Sequence, residues 1–554
     1  LEKIWLNQYQ EGVPAVIDLR EFSSLADMFR RSVERNADKT AFISFDKSMS
    51  YRRLDVLSRR FASYLVNQLD LNQGDRIALM IPNLMQYPVA FYAACRAGIV
   101  VVNIDPLCTQ SELRYQLKDS GCRAVVLLED CARRLSRIIA ETDVESVIVT
   151  QVADLLGPVK RLTMNSYHKW IAGRVPIYHL PNSVSFSQAL RSSVSIYADP
   201  IINAHDLALL QYTSGTEGVP KGVMLSHQNL YANVLQASAW TSTVVSLQGT
   251  ALAVMPFSHI FGFTANFLFP IRQGACSLLV ADARDCESIV KIMEKNACSS
   301  LVGVSTLFNK LLEAKGFEDL DFSELKICLS GGMPIHKAVA RNWSQVTGCE
   351  ITECYGMTET SPAITANPLS LLKYSGYLGV PLPSTEISIR DMRGNELNQG
   401  AEGELWARGP QVMLGYWKQP QATYGALCKD GWFRTGDVAM VSETGMVKVI
   451  DRLRDIVNVS GFVVYPSEVE KLMLTHESVE DVAAVGLPDD RSGEVVKLFV
   501  VGKDGFDDTE ALHAFCKIKL SGYKRPKEIE FVEKIPRFKS GRLLRRELRK
   551  PSST

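Results

Sequence analysis

Stretches with helical spacing and stretches with strand spacing alternate along most of this chain, and the alternation limits the folds open to it. Leu54, Leu57, Phe61, Tyr64 and Leu65 lie at helical intervals. Gly74-Asp75 then turns the chain into the apolar run Ile77 to Ile81, which Pro82-Asn83 closes. Ala124 to Leu128 is a second buried-strand candidate. This order predicts an α/β fold with helices laid against largely parallel strands. At 554 residues the chain is too long for one ordinary domain. From 387 to 449 the texture changes to short apolar pieces separated by Gly394, Gly400, Gly403, Gly409 and Gly415, the pattern of a smaller β-rich subdomain. A charge cluster, Asp451-Arg452-Leu453-Arg454-Asp455, comes next. Beyond it Ser467 and Glu470 read as a capping box after Pro466, opening a helix with Val469, Leu472 and Met473 on one face. Strand candidates Val482 to Val485 and Val495 to Val501 follow, then a helix carrying Leu512, Phe515 and Cys516. The expectation is a large N-terminal body, residues 1–453, made of two α/β sandwich subdomains plus the β-rich part, and a small, mobile α+β C-terminal lid, residues 454–554.

Lys+Arg and Asp+Glu both number 61, so no global field attracts nucleic acid. The 12 cysteines show no CxxC pair or metal-ligand spacing, which fits reduced thiols better than a disulfide framework. Leu1-Glu2-Lys3-Ile4-Trp5 lacks the apolar core of a signal peptide. The longest apolar stretch, Val89 to Ile104, is interrupted by Arg96 and is too short to span a bilayer. A cytoplasmic protein is expected. Peripheral contact with the inner face of the cell membrane stays open, because no acidic residue occurs between Asp154 and Asp199. That segment carries Lys160, Arg161, Lys169, Arg174 and Arg191, interleaved with Tyr167, Trp170 and Ile171. It is a candidate for touching an anionic lipid surface, set against the plainer reading of a solvated basic loop.

The run Tyr212-Thr213-Ser214-Gly215-Thr216-Glu217-Gly218-Val219-Pro220-Lys221-Gly222 packs hydroxyls, glycines and a lysine closely enough to wrap a polyphosphate. It is not a Walker A loop, since Lys221 is followed by Gly222 and not by Ser or Thr. Four more motifs follow. Ser330-Gly331-Gly332-Met333-Pro334 is a small-residue turn after an apolar strand. Tyr355-Gly356-Met357-Thr358-Glu359-Thr360 groups an aromatic ring, a hydroxyl and a carboxylate. Trp432-Phe433-Arg434-Thr435-Gly436-Asp437 offers an acid at a turn, and Lys539-Ser540-Gly541-Arg542-Leu543-Leu544-Arg545-Arg546 is a basic close. Taken singly, each motif reads more readily as structure than as function: Asp437 as a turn residue, Glu359 as a helix cap, Arg542 as part of a solvated helix.

Together and in this order, the set resembles the adenylate-forming enzymes, which include acyl-CoA synthetases, aryl-CoA ligases and luciferases. The resemblance covers nearly the whole chain. It is strongest to the bacterial long-chain fatty acid–CoA ligases, through Ile81 to Phe91, Leu382 to Glu386 and Pro410 to Trp417. The resemblance implies a ligase using ATP, Mg²⁺ and coenzyme A on a fatty acid. A carboxylate attacks the α-phosphorus to give acyl-AMP and pyrophosphate, and a thiol then displaces AMP. It also implies roles. Thr213, Ser214, Gly215, Thr216, Gly218 and Lys221 would hold the phosphates; Gly331, Gly332, Tyr355, Gly356 and Met357 would line the adenine site. Thr358 would contact phosphate and Glu359 would hold Mg²⁺. Asp437 would accept from the ribose hydroxyls, with Arg452 a second ribose contact. Arg454 would be the hinge, Ser460, Gly461 and Phe462 would border the thiol channel, and His259 would gate the acyl and thiol channels. Around His259, the aromatic run Pro256 to Phe263 with Phe267, Leu268 and Phe269 reads equally well as core or as an acyl pocket.

Two positions depart from the resembled pattern. Arg542 stands where those enzymes carry a lysine that stabilises adenylation, and a planar guanidinium does not replace a compact ammonium at a tight site. Glu217 stands where they usually carry threonine, placing a carboxylate in a loop meant for an anion. These two motivate an alternative: an adenylation-impaired relative that binds fatty acids or acyl-adenylates. A carrier-protein thiol as acceptor in place of coenzyme A, and a monomer or a homodimer, also stay open.

Overall fold

The computed structural model describes residues 3–192, 199–213, 220–242, 249–371, 373–460, 462–489, 492–537 and 543–549. Contacts divide the chain into two compact units. The larger holds Trp5–Glu386 and Ala407–Phe433; the smaller holds Ile387–Trp406 and the described part of Arg434–Thr554. The chain is therefore interleaved between them.

The larger unit is built on two sheets. In one, strands Leu207–Tyr212, Val100–Asn103, Arg76–Met80, Ala124–Leu128, Ser146–Thr150 and Val184–Ser185 run parallel in that spatial order. Antiparallel Gly222–Ser226 and Gly415–Tyr416 extend its first edge. In the other, Ile351–Gly356, Ile327–Ser330, Ser300–Gly303, Thr250–Ala253, Cys276–Leu279 and Thr40–Ser44 run parallel, with antiparallel strands at both edges. The expected strand Ala124–Leu128 is buried at every position, as a parallel strand covered on both faces should be. Helix Tyr51–Asn67, capped by Ser50, turns the expected Leu54, Leu57, Phe61, Tyr64 and Leu65 into the core. One apolar cluster runs from strand residues Ile77, Leu79 and Val101 of the first sheet, through Phe61, Phe91 and Tyr92 of the helices, to Phe42 and Ala253 of the second.

The long apolar stretch resolves into a helix, Gln86–Ala97, buried along its whole length, and the strand Val100–Asn103. Arg96 within it is satisfied by Asp55, by Ser58 and by Asp199 at 3.0 Å, so a buried cation interrupts the run without breaking the helix.

The smaller unit has a four-stranded sheet of Glu386–Arg390, Gly403–Arg408, Phe433–Val441 and Val447–Arg452, and a five-stranded sheet centred on Val479–Asp489 and Gly493–Gly502. The expected helices occur as Pro466–Met473 and Thr509–Lys519. The capping box does not form. Pro466 sits at the first helical position, and Ser467 donates to the Ile450 carbonyl at 2.9 Å instead. Glu470 accepts from Ala484 N–H at 2.8 Å and from Arg545 at 2.7 Å. A helix docked on a sheet offers these side chains stronger tertiary partners than its own first turn.

Asn83, nearly fully buried, joins the two sheets of the larger unit. Its amide donates to the carbonyls of Ala253 (2.8 Å) and Met255 (3.0 Å), and its oxygen accepts from Phe257 N–H at 2.8 Å. Asn83→Ala leaves the Phe257 N–H and the Met255 carbonyl without this partner, while the Ala253 carbonyl keeps the Val280 N–H at 3.2 Å, and should lower stability by about 2 kcal/mol. The measurement is the urea unfolding midpoint, and a shift no larger than that of an exposed Asn→Ala control would contradict this assignment.

Candidate functional site

The phosphate-type loop is rooted in a strand pair. Tyr212 faces Gly222 across the antiparallel ladder, and Thr213 N–H donates to the Lys221 carbonyl at 3.0 Å, closing the loop's two ends. Gly222 sits in tight quarters: a Cβ there would come within 3.2 Å of the Tyr212 ring and 3.3 Å of Trp417, so one of these side chains would have to shift. Ser214, Gly215, Thr216, Glu217 and Gly218 lie outside the described residues.

Lys221 and Glu359 are linked through an aromatic ring. The Lys221 ammonium stands 5.1 Å over the ring of Tyr416, whose hydroxyl donates to Glu359 Oε1 at 2.9 Å. Burial and the neighbouring Glu359 carboxylate push the Tyr416 hydroxyl well above its ordinary pKa, so it stays a donor. Thr358 and Glu359 occupy a short helical turn, Thr358–Thr360, and the Glu359 carbonyl accepts from Met413 N–H at 2.9 Å. Tyr416 has no assigned role in the sequence reading. Its only signal there is its place in the Pro410 to Trp417 run.

Of the glycines expected at a flat-ligand site, Gly331 and Gly356 are held by packing, whereas Gly332 has open space beside it and is favoured by its φ of +79°. A Cβ on Gly356 would lie 1.9 Å from the Pro362 carbonyl oxygen. On Gly331 it would lie 2.9 Å from Cys354 Sγ and 3.1 Å from the ring of Phe261. The Gly331 turn, the strand carrying Tyr355 and the segment after His259 therefore meet at one place. Met357 N–H is fixed by the Pro362 carbonyl at 2.9 Å. A hydrogen-bonded chain leads from Tyr87 to Asn103 (2.6 Å), Gln211 (3.1 Å) and the Ser258 carbonyl (2.8 Å), tying the root of the phosphate-type loop to the residue before His259.

His259 caps the turn Ile260–Gly262, its Nδ1 accepting from Phe261 N–H at 3.3 Å. Its ring is exposed, yet surrounding protein displaces enough water to lower its pKa, against an opposing pull from Asp105. Among the aromatics of this stretch, Phe257, Phe263 and Phe267 are core, packed with Tyr87 and Phe91.

In the smaller unit Asp437 lies on the strand Phe433–Val441 and not at a turn. Gly436, at φ +70°, lies within the same strand, and the ladder with Val447–Arg452 begins at Asp437. Asp437 is 2% exposed and pairs with its cross-strand neighbour Arg452 at 2.6 Å, so the two expected ribose contacts face each other. Ser460 N–H donates to the Ser492 carbonyl at 2.7 Å, and Phe462 is exposed and stacked on Tyr523 at 4.8 Å. Gly461 and Arg542 lie outside the described residues.

The family model for the AMP-binding enzymes matches residues 29–417, and that for the AMP-binding enzyme C-terminal domain matches 468–542. This chain belongs to the AMP-binding enzyme family. It is 45% identical over 552 residues to a long-chain-fatty-acid–CoA ligase of Salmonella typhimurium, covering 99% of this chain and 98% of that one. It is 42% identical over 553 residues to the enzyme of that name from Haemophilus influenzae, again covering 99% and 98%. A crystal structure of ATP-bound MatB from Rhodopseudomonas palustris superposes with a TM-score of 0.80 at 28% identity, over 95% of this chain and 98% of that one. The Mycobacterium tuberculosis fatty acyl CoA synthetase does so at 0.73 and 25%, over 95% and 97%. The alternative of an adenylation-impaired binding relative gains no support from these relatives.

Glu353 lies two residues before Tyr355. It is buried, and among the described residues Ile335 N–H, at 3.5 Å, is the donor to its carboxyl. Its ladder partner Ser330 has a buried hydroxyl with no hydrogen-bond partner among the described residues. Burial pushes the Glu353 carboxyl up to about 7, with the Ile335 amide opposing. Between the ordinary glutamate value of 4.5 and about 7, the unfolded chain holds fewer protons than the folded one, so stability falls as pH rises through that window. Glu353→Gln should flatten this slope and raise stability by about 2–3 kcal/mol near pH ~8. Denaturant midpoints measured across the window check this, and an unchanged slope in the variant would count against it.

Proposed function

We propose that this AMP-binding enzyme is a long-chain fatty acid–CoA ligase, forming acyl-AMP and pyrophosphate from ATP and then the coenzyme A thioester. The observation that carries the reading is the Lys221–Tyr416–Glu359 line at the mouth of the loop rooted by Thr213 and Lys221. It sets a cation and a carboxylate at the root of a segment whose composition suits phosphates. The names of the relatives support the substrate class.

In this reading Thr213, Ser214, Gly215, Thr216, Gly218, Lys221 and Thr358 bind the phosphates, and Gly331, Gly332, Tyr355, Gly356 and Met357 border the adenine. Lys221 and Arg542 offset the charge that gathers as the acyl carboxylate attacks the α-phosphorus. Asp437 and Arg452 hold the ribose, His259 separates acyl and thiol paths, and Ser460, Gly461 and Phe462 guide the thiol. Arg454 is the pivot of residues 454–554.

Glu359 suits Mg²⁺, which ordinarily takes one or two carboxylates together with substrate phosphates and water. The described residues hold no group of three His, Cys, Asp or Glu that could cage a metal by themselves. When bound at Glu359, the ion would supply counter-charge for the phosphates.

Pyrophosphate release with palmitate, ATP and Mg²⁺ is expected, with palmitoyl-CoA detected by mass spectrometry when coenzyme A is added. Lys221→Ala should lower the rate by about 10²–10³. Folded protein that releases no pyrophosphate above a fatty-acid-free blank, across acyl lengths, would refute the reading. Thioester formation only on a carrier protein would correct the acceptor.

A further inference from the structure

The segment 158–171 of the larger unit folds as a helix, Pro158–Ser166, continued by a wider turn, Tyr167–Ile171. Its amphipathicity is reversed. Three of its polar side chains face the protein: Asn165 accepts from Ala153 N–H at 2.9 Å and donates to Gln151 at 3.0 Å. His168 pairs with Asp130 at 2.9 Å, and Lys169 donates to the buried Glu129 at 2.7 Å. Apart from Met164, which packs on the core, the large apolar side chains face solvent, with Leu162 71%, Trp170 78% and Ile171 75% exposed, and Val159, Tyr167 and Ile177 beside them. A helix that folds only to fill a core points these residues the other way. No helix among the described residues is long and apolar enough to cross a membrane.

We propose that this face lies on an anionic lipid surface, with Leu162, Trp170 and Ile171 entering the headgroup–acyl boundary. Arg161 and Arg174, both exposed, carry the charge at its rim, with Lys160 beside them donating to the Phe45 carbonyl, and residues 155–198 contain no Asp or Glu. A tryptophan and a tyrosine among aliphatics, rimmed by cations, match the interface of a bilayer, where one end of each ring is apolar and the other wet. A second copy of the chain docked through a two-fold axis would bring these cations against themselves with no carboxylate in the segment to meet them. The proposal rests on the fatty-acid reading in one respect: a substrate that partitions into lipid is most concentrated at that surface.

The full-length protein, without ATP or acyl substrate, should float with vesicles of phosphatidylcholine mixed with phosphatidylglycerol, and less with phosphatidylcholine alone. Trp170 is the one exposed residue among the seven tryptophans, so brominated lipid should quench a fluorescence component that Trp170→Phe removes. Replacing Leu162, Trp170 and Ile171 together by Ser should lower vesicle binding by about tenfold or more. Arg161→Gln with Arg174→Gln should reduce both the preference for anionic lipid and its sensitivity to salt. Absence of binding by folded wild-type protein, or binding and quenching indifferent to these changes, would overturn the proposal. So would a dimer in sedimentation that the triple variant dissociates, which would assign the face to a second copy. Pyrophosphate release with octanoate, a soluble acid, should persist in the triple variant. Its absence in every form, wild type included, would count against the ligase reading and leave the vesicle result standing.

Discussion

Three hydrogen bonds from the buried side chain of Asn83 hold the end of a strand in one sheet against the chain leaving a strand of the other. Most candidate site residues of the larger unit stand downstream of this junction in a geometric sense. The parallel strands of both sheets deliver their carboxyl ends to the same region. Tyr212 leads to Thr213, Ala253 to His259, Ser330 to Gly331 and Gly356 to Thr358. Loops at the carboxyl ends of parallel strands are where α/β proteins build sites, because the strands fix the loop roots while the loops stay free to vary. One amide side chain thus keeps two such sets of roots in register, and the chain Tyr87–Asn103–Gln211–Ser258 repeats the linkage one strand further along.

Much of this was legible in the sequence because it depends on local spacing. Ala124–Leu128 and the helix through Phe61 follow from apolar periodicity alone, and the glycine-rich loop sits between strands as its composition requires. What was not legible depends on partners far along the chain. Ser467 and Glu470 have capping-box spacing, yet Ile450, Ala484 and Arg545 claim them. Asp437 has the neighbours of a turn residue, but a ladder partner, Arg452, keeps it on a strand. Tyr416 joins Lys221 to Glu359 across 195 and 57 positions of sequence, and no local pattern announces that. The segment after Asp154 showed its charge and aromatics in the sequence, while the direction in which they point is a property of the fold alone.

The Lys221–Tyr416–Glu359 line also explains why several side chains here are fixed before any ligand arrives. A cation over a ring and a phenol on a carboxylate place opposite charges at a set separation without letting them collapse into a direct ion pair. An anion approaching such an arrangement meets groups that need little reorganisation, which is the condition under which electrostatic stabilisation is most effective.

The interleaving of the two units has a consequence for synthesis. Met413, which fixes the Glu359 carbonyl, and Tyr416 leave the ribosome only after residues 387–406, which belong to the smaller unit, have already emerged. The nascent larger unit must therefore wait with an unpaired sheet edge at Gly222–Ser226 until Gly415–Tyr416 arrives to cover it. Translation speed through that interval, and any chaperone that shields the waiting edge, bears directly on how much of this protein reaches its native form.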